Sequence, residues 1–217
     1  MSRRRFAWTA SLLLGAIYSA SSLAPAVAEN FVEVPLLVAV GANDRGAFEL
    51  LLMRWDQQPS PDPLVVRWGK TKVQFSDAYL AALDAAWRYA VGRAQSARRT
   101  GTIWLQGLAY APTTTDGPSA GAVMAVGFLA VLHGDPIRRG IALTGTIEAD
   151  GRIGSVGAIP DKIRAAAREG YRTVLIPPGQ LHDPRWNLNG LALELNMTVK
   201  EVGTVEEAYE LMTGRRL

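Results

Sequence analysis

Apolar residues fall in two rhythms along this chain. In the first third they run or alternate in short stretches at residues 33–41, 46–55 and 63–68, which predicts strands. The segments "ANDR" and "QQPSPDP" between them have turn and loop composition. From Ser76 the period becomes helical: Tyr79, Leu80, Leu83, Ala86, Trp87, Tyr89 and Ala90 share one face. Ser76 is the expected N-cap, and Arg93, Arg98 and Arg99 crowd the far end, where cations favour the helix dipole. A strand at 102–109, a polar loop and a helix from Pro118 to about His133 follow. No charge interrupts that helix between Ser119 and Leu132, so it is expected to be buried on all sides.

The second half reads as a strand at 141–147, a hairpin signal at Asp150-Gly151 and a helix over 159–170. A strand at 173–177, a short helix at 188–196, a strand at 198–202 and a helix at 204–212 complete it. Thr204 and Glu207 fit a capping box on the last helix. Strands first and then mixed elements give an α+β or irregular α/β fold, not a regular βα repeat, in one domain.

Composition narrows the chemistry. The chain has 217 residues, no cysteine and two histidines, which excludes disulfides, thiolate nucleophiles and a histidine-rich metal site. No P-loop and no dinucleotide-binding glycine motif occurs in it. Residues 1–28 read as a secretory leader, with Arg3, Arg4 and Arg5 before an apolar stretch to about Leu23 and an Ala26-Val27-Ala28 cleavage signal. The expected domain is then 29–217, placed in the periplasm or secreted. An uncleaved leader would instead anchor it to the inner membrane through residues 6–23. Removing three arginines leaves basic and acidic residues in balance, so charge gives no argument for nucleic acid.

The chemistry concentrates at Asp116-Gly117-Pro118-Ser119-Ala120-Gly121. Ser119 could simply cap the buried helix, as could Asp116, with Pro118 as first helical residue. The segment also matches G-x-S-x-G, the elbow of α/β-hydrolases, for which Asp161 and His182 would follow in the required order. Against that elbow, a polar loop and not an apolar strand leads into Ser119. A serine at a helix N-terminus also lies among free N–H groups that could hold an oxyanion. A base could come from lysine. The chain has four lysines and nineteen arginines, so Lys162, between Ile159 and Ile163, departs from the habit of writing arginine for a plain cation. Arginine does not deprotonate in proteins, whereas a buried lysine can serve as a base. The bland alternative is a surface lysine paired with Asp161 or Glu169. His133 and His182 have ordinary structural explanations, at a helix end and in a loop.

"TDGPSAG" before a buried helix, then "ALTGTI", "GRIGSVGAIPDKIRAA", "EGYRTVLIP" and "TVEEAYELM", resemble the proteolytic domain of Lon proteases. The resemblance runs over about residues 33–215. It implies a Ser-Lys dyad, with Ser119 as nucleophile and Lys162 as base, 43 residues apart as in the family. It implies supporting roles for Thr144, which bonds near the lysine, and for Asp116, Gly117 and Pro118. It further implies a serine endopeptidase acting on peptides or unfolded segments, with no metal or nucleotide at the dyad. Family members form rings, so a homo-oligomer is compatible with the resemblance, although the sequence does not specify one. The chain departs from the family pattern at Thr115, where a lysine is usual, at Thr146, where T-G-E has glutamate, and at Gly157-Ala158, where two glycines are usual. The alternative function is a Lon-type fold kept as a binding or scaffold module.

Overall fold

The computed structural model describes residues 30–40, 45–57, 63–71, 73–94, 100–109 and 114–217. The leader reading over 1–28, Arg98 and Arg99 lie outside the described residues. A mixed seven-stranded sheet organises the chain. It contains β1 (Asn30–Val40), β2 (Arg45–Asp56), β3 (Val65–Trp68), β5 (Thr102–Leu108), β7 (Ile141–Leu143), β10 (Thr173–Ile176) and β11 (Thr198–Glu201). The spatial order is β11-β10-β7-β1-β2-β5-β3. From β11 to β1 neighbouring strands are parallel, and β2 runs antiparallel to both β1 and β5. Two-residue strands β4 (Gln74–Phe75) and β6 (Thr114–Thr115) pair with each other, as do β8 (Thr146–Ile147) and β9 (Ile153–Gly154).

Side chains alternate across each strand, so the sheet has two apolar faces and needs cover on both. Val34, Leu36, Leu51, Met53, Ile103 and Leu105 face one layer. That layer holds α1 (Asp77–Arg93), α2 (Gly121–His133) and α5 (Val205–Thr213). Leu37, Ala142, Val174 and Ile176 face the other, formed by α3 (Ile159–Arg168) and α4 (Leu188–Glu194). Helix α2 is buried at every position from Gly121 to Leu132, as its uncharged sequence requires. Helix α3 is instead two-sided. Ile159, Lys162, Ile163 and Ala166 recur at helical spacing and are all buried, so the lysine sits on the apolar face.

The expected order of helices and long strands matches this architecture, with four differences. The strand expected at 141–147 breaks after Leu143, and the chain resumes as β8 after Thr144-Gly145. The strands β4 and β6 are too short to carry a period. Helix α2 begins at Gly121, and its N-cap is Ala120, with no side chain capping it. At α5, Thr204 caps Glu207 as expected, but the Glu207 carboxylate accepts from Gly203 N–H at 3.0 Å, one residue outside the usual box.

Ala158, the N-cap of α3, adopts φ 54° and ψ 31°. This left-handed conformation costs an L-residue about 1–2 kcal/mol, whereas glycine adopts it freely. Glycine gives back roughly 0.5–1 kcal/mol through greater freedom in the unfolded chain. Ala158→Gly should therefore raise stability by about 0.5–1 kcal/mol, read as a melting-temperature rise of roughly 1–4 °C. An unchanged or lower melting temperature would contradict the strain.

Candidate active site

The four C-terminal strand ends of β1, β7, β10 and β11 point to the same end of the sheet, and the strand break after Leu143 opens there. Such an end, outside the carboxyl termini of parallel strands, is where side chains from both faces can converge. Ser119 arrives from the α1/α2 layer and Lys162 from the α3/α4 layer. Lys162 Nζ lies 2.7 Å from Ser119 Oγ. The same nitrogen is 3.0 Å from Thr144 Oγ1, which accepts from it. Lys162 is 2% exposed and Thr144 fully buried, while Ser119 is half-buried and open to an incoming group.

Each of the three is fixed by its backbone. Gly121 N–H donates to Pro118 C=O at 3.0 Å, closing the turn that carries Ser119. Ser119 C=O accepts from Gly145 N–H at 2.8 Å and from the Thr144 hydroxyl at 3.3 Å. Thr144 N–H continues the sheet ladder to Leu175 C=O at 3.0 Å. Thr144 thus stands at the last rung of β7 and ties the serine's carbonyl to the lysine's nitrogen. Lys162 N–H donates to Ala158 C=O at 3.1 Å, so the base-bearing turn starts at the left-handed residue. Gln180, 5% exposed, clamps the loop ahead of it through two bonds with Val156, at 3.0 and 2.8 Å.

The residues expected around the serine separate into two groups. Ser119, Lys162 and Thr144 come together. Asp116, Gly117 and Pro118 hold the approach to the serine. The Asp116 carboxylate accepts from Gly117 N–H at 2.6 Å, and the backbone there needs the φ of 82° that Gly117 supplies. The Ser76 hydroxyl, and then Gly117 N–H, hold the Asp116 carboxyl below its usual range. That tie persists above the ordinary carboxyl value and is lost only as pH falls through the lowered one. Ser76 also donates its N–H to Thr115 C=O at 3.1 Å and caps α1 by accepting from Tyr79 N–H at 3.2 Å.

The structure decides between the readings of the helix start. Neither Ser119 nor Asp116 caps α2, because the Ser119 hydroxyl is engaged by Lys162 and Asp116 faces α1. The helix start also offers fewer free donors than its position suggests. Gly121 N–H is taken by Pro118, and Ala122 N–H donates to Gly145 C=O at 3.1 Å. Among the described residues, the N–H groups of Ser119 and Ala120 donate to no other described residue. His182 is exposed in the loop before α4, and the Ser119 hydroxyl is met by Lys162 instead. His133 ends α2, beside the Tyr209 hydroxyl at 3.5 Å. No group of three or more metal-ligating side chains occurs among the described residues.

Sequence reasoning missed two contributors. Gln180 has no pattern that singles it out. Glu49 does: it is a carboxylate on the same face of β2 as Leu51 and Met53, and it is 3% exposed. Its Oε2 accepts from Thr115 Oγ1 at 2.6 Å. The position where the family's lysine is usual is thus filled here by a hydroxyl facing a buried acid.

A family model, the Lon protease (S16) C-terminal proteolytic domain, matches residues 93–212. The chain is similar to the Lon protease of Haemophilus influenzae, at 37% identity over 94 residues, covering 42% of this chain and 12% of that one. It is 36% identical over 101 residues to Lon protease 2 of Syntrophobacter fumaroxidans, covering 46% of this chain and 12% of that one. It is 45% identical over 71 residues to the Lon protease of Azorhizobium caulinodans, covering 33% and 8%. The matched part is thus about a tenth of these relatives' length. With more than half of its length matched by the family model, and with a mixed sheet that brings a serine and a buried lysine together, the chain belongs to the Lon protease proteolytic-domain family.

Proposed function

We propose that this chain is a serine endopeptidase in which Ser119 is the nucleophile and Lys162 the general base. The observation that carries the reading is the 2.7 Å contact between Ser119 Oγ and a lysine nitrogen that is 2% exposed. An alcohol is a weak nucleophile unless a base takes its proton as it attacks. Taking an amine out of water disfavours its charged form, and the neutral form is the one that can accept a proton. In the reactive state the Ser119 hydroxyl donates to Lys162 Nζ. Oγ bonds to the peptide carbonyl carbon while its proton passes to the amine. The carbonyl oxygen gains the negative charge, and the N–H groups of Ser119 and Ala120 are the donors available to it. As the C–N bond breaks, the ammonium returns its proton to the leaving amine, leaving an acyl-serine. Water, deprotonated by the same lysine, then releases the acyl group.

Thr144 orients the amine through its 3.0 Å bond and couples it to the serine's backbone. The proposed step draws on no nucleotide and no metal. Substrates are taken to be peptides or unfolded protein segments, because a chain must be extended to present a carbonyl to a serine at a sheet end. The leader composition of residues 1–28 supports a place in the cell envelope.

Digestion of casein by the purified chain, without ATP, tests the reading. Wild type should cleave, while Ser119→Ala and Lys162→Met should lose turnover by at least about a thousandfold, as removal of a nucleophile or base does elsewhere. Equal cleavage by wild type and Ser119→Ala would defeat it, and absence of any Ser119-dependent cleavage would favour a binding module. Because a buried amine is costly to hold, Lys162→Met should be no less stable than wild type in thermal melts, and more stable by about 1 kcal/mol or more. A large loss of stability would mean that the lysine is there for structure.

The pH dependence has a definite sign. The base works only when unprotonated, so kcat/KM should rise with pH along a single ascending limb. Lys162→Arg should be inactive throughout, since arginine keeps its proton. A profile flat from about pH 6 to 9 would contradict a lysine base. Thr144→Val removes one hydrogen bond to the amine, and kcat should fall roughly tenfold with little change in KM. An unchanged kcat would remove Thr144 from the mechanism.

A further inference from the structure

We infer that the first residues of β2, from Gly46 to Glu49, set the separation of nucleophile and base, with Glu49 and Gly46 as positioning residues. The inference rests on the peptidase reading given above. Strand β2 reaches both halves of the site, because its alternate residues point to opposite faces of the sheet.

On the α1/α2 face, the Glu49 carboxylate takes the Thr115 hydroxyl at 2.6 Å, with Thr115 fully buried. Thr115 lies four residues before Ser119. Its carbonyl is bonded to the N-cap of α1, and the next residue, Asp116, is held by Ser76 and Gly117. The approach to the serine is therefore pinned from below by β2 and from the side by α1. Both groups are buried, and the 2.6 Å bond gives each of them a partner. A buried carboxylate is otherwise an expensive choice on a face shared with Leu51 and Met53.

On the α3/α4 face, Gly46 lets β2 touch the backbone of the base-bearing helix. A Cβ at Gly46 would lie 2.0 Å from Asp161 C=O oxygen and 2.8 Å from Lys162 N. Both are backbone atoms of α3, with no flexible side chain to yield. Arg168, from the last turn of α3, donates to Gly46 C=O at 2.8 Å. Phe48, next on this face, packs against Tyr171 with ring centroids 4.9 Å apart. Only Ala47 and Phe48 separate Gly46 from Glu49, so a single rigid stretch of strand fixes the helix that carries Lys162 and the loop that carries Ser119. A displacement of about 1 Å between reacting groups costs on the order of a hundredfold in rate.

The test uses Thr115→Val, Thr115→Ser and Gly46→Ala in the full chain, with kinetics on an unstructured peptide substrate and crystal structures of each. Thr115→Val and Gly46→Ala should lower kcat about 10- to 100-fold with KM within roughly twofold of wild type. The Ser119 Oγ to Lys162 Nζ separation should lengthen by about 1 Å in their crystals. Thr115→Ser restores the hydroxyl and should return both readings to near wild type. The small change at Thr115 keeps the test standing if Gly46→Ala fails to fold. Thr115→Val with wild-type kcat, or with an unchanged separation, would overturn the inference. A wild type without Ser119-dependent cleavage would instead defeat the peptidase reading, and the crystallographic separations would still decide whether β2 sets the spacing.

Discussion

A lysine nitrogen held out of water against a serine hydroxyl is the constraint around which this fold is arranged. Such a contact does not help a protein fold. An amine loses its hydration on burial, and the Ser119 and Thr144 hydroxyls return part of it. The surrounding structure has to over-determine the position. It does so through the apolar face of α3, where Lys162 is one of four buried residues at helical spacing, and through Thr144, which bonds both the amine and the serine's own carbonyl.

The two side chains come from opposite layers, which is why the sheet's end matters more than any one loop. Helix α2 is sealed between the sheet and its neighbouring helices, so the turn before it cannot drift far. Helix α3 sits on the other face and is registered by contact with β2. The break in the strand after Leu143 is the remaining requirement. A continuous strand over 141–147 would have placed a ladder where Thr144 and Gly145 now turn aside to bind Ser119 C=O. The polar tethers at Gln180, Ser76 and Glu49 all act on segments that lead into one of the reacting residues.

Much of this was legible beforehand because the signals were strong and local. The uncharged run of α2 could only be a buried helix. The lysine between Ile159 and Ile163, one of four in a chain with nineteen arginines, marked a position where arginine would not serve. The spacing of Ser119 and Lys162 resembled a known pair. What was not legible depended on tertiary context. A two-residue strand such as β4 or β6 has no period. The capping alternative for α2 did not hold because the Ser119 hydroxyl meets Lys162 and the Asp116 carboxylate meets Ser76, and a side chain can satisfy only the partner its backbone faces. The break at Thr144 was hidden inside an apolar stretch whose hydropathy alone favours a longer strand. Glu49 could have been suspected as the one acid on an apolar strand face, but its partner, Thr115, becomes visible only once β6 is placed.

The most direct measurement is covalent. A serine-directed fluorophosphonate probe, followed by peptide mapping in a mass spectrometer, reports whether Ser119 is activated irrespective of which substrate the protein meets. The account predicts a single adduct on Ser119 in the wild type and no adduct above background when Lys162 is replaced by methionine. Labelling of Ser119 that persists undiminished in the methionine variant, or an adduct on some other residue in its place, would contradict it.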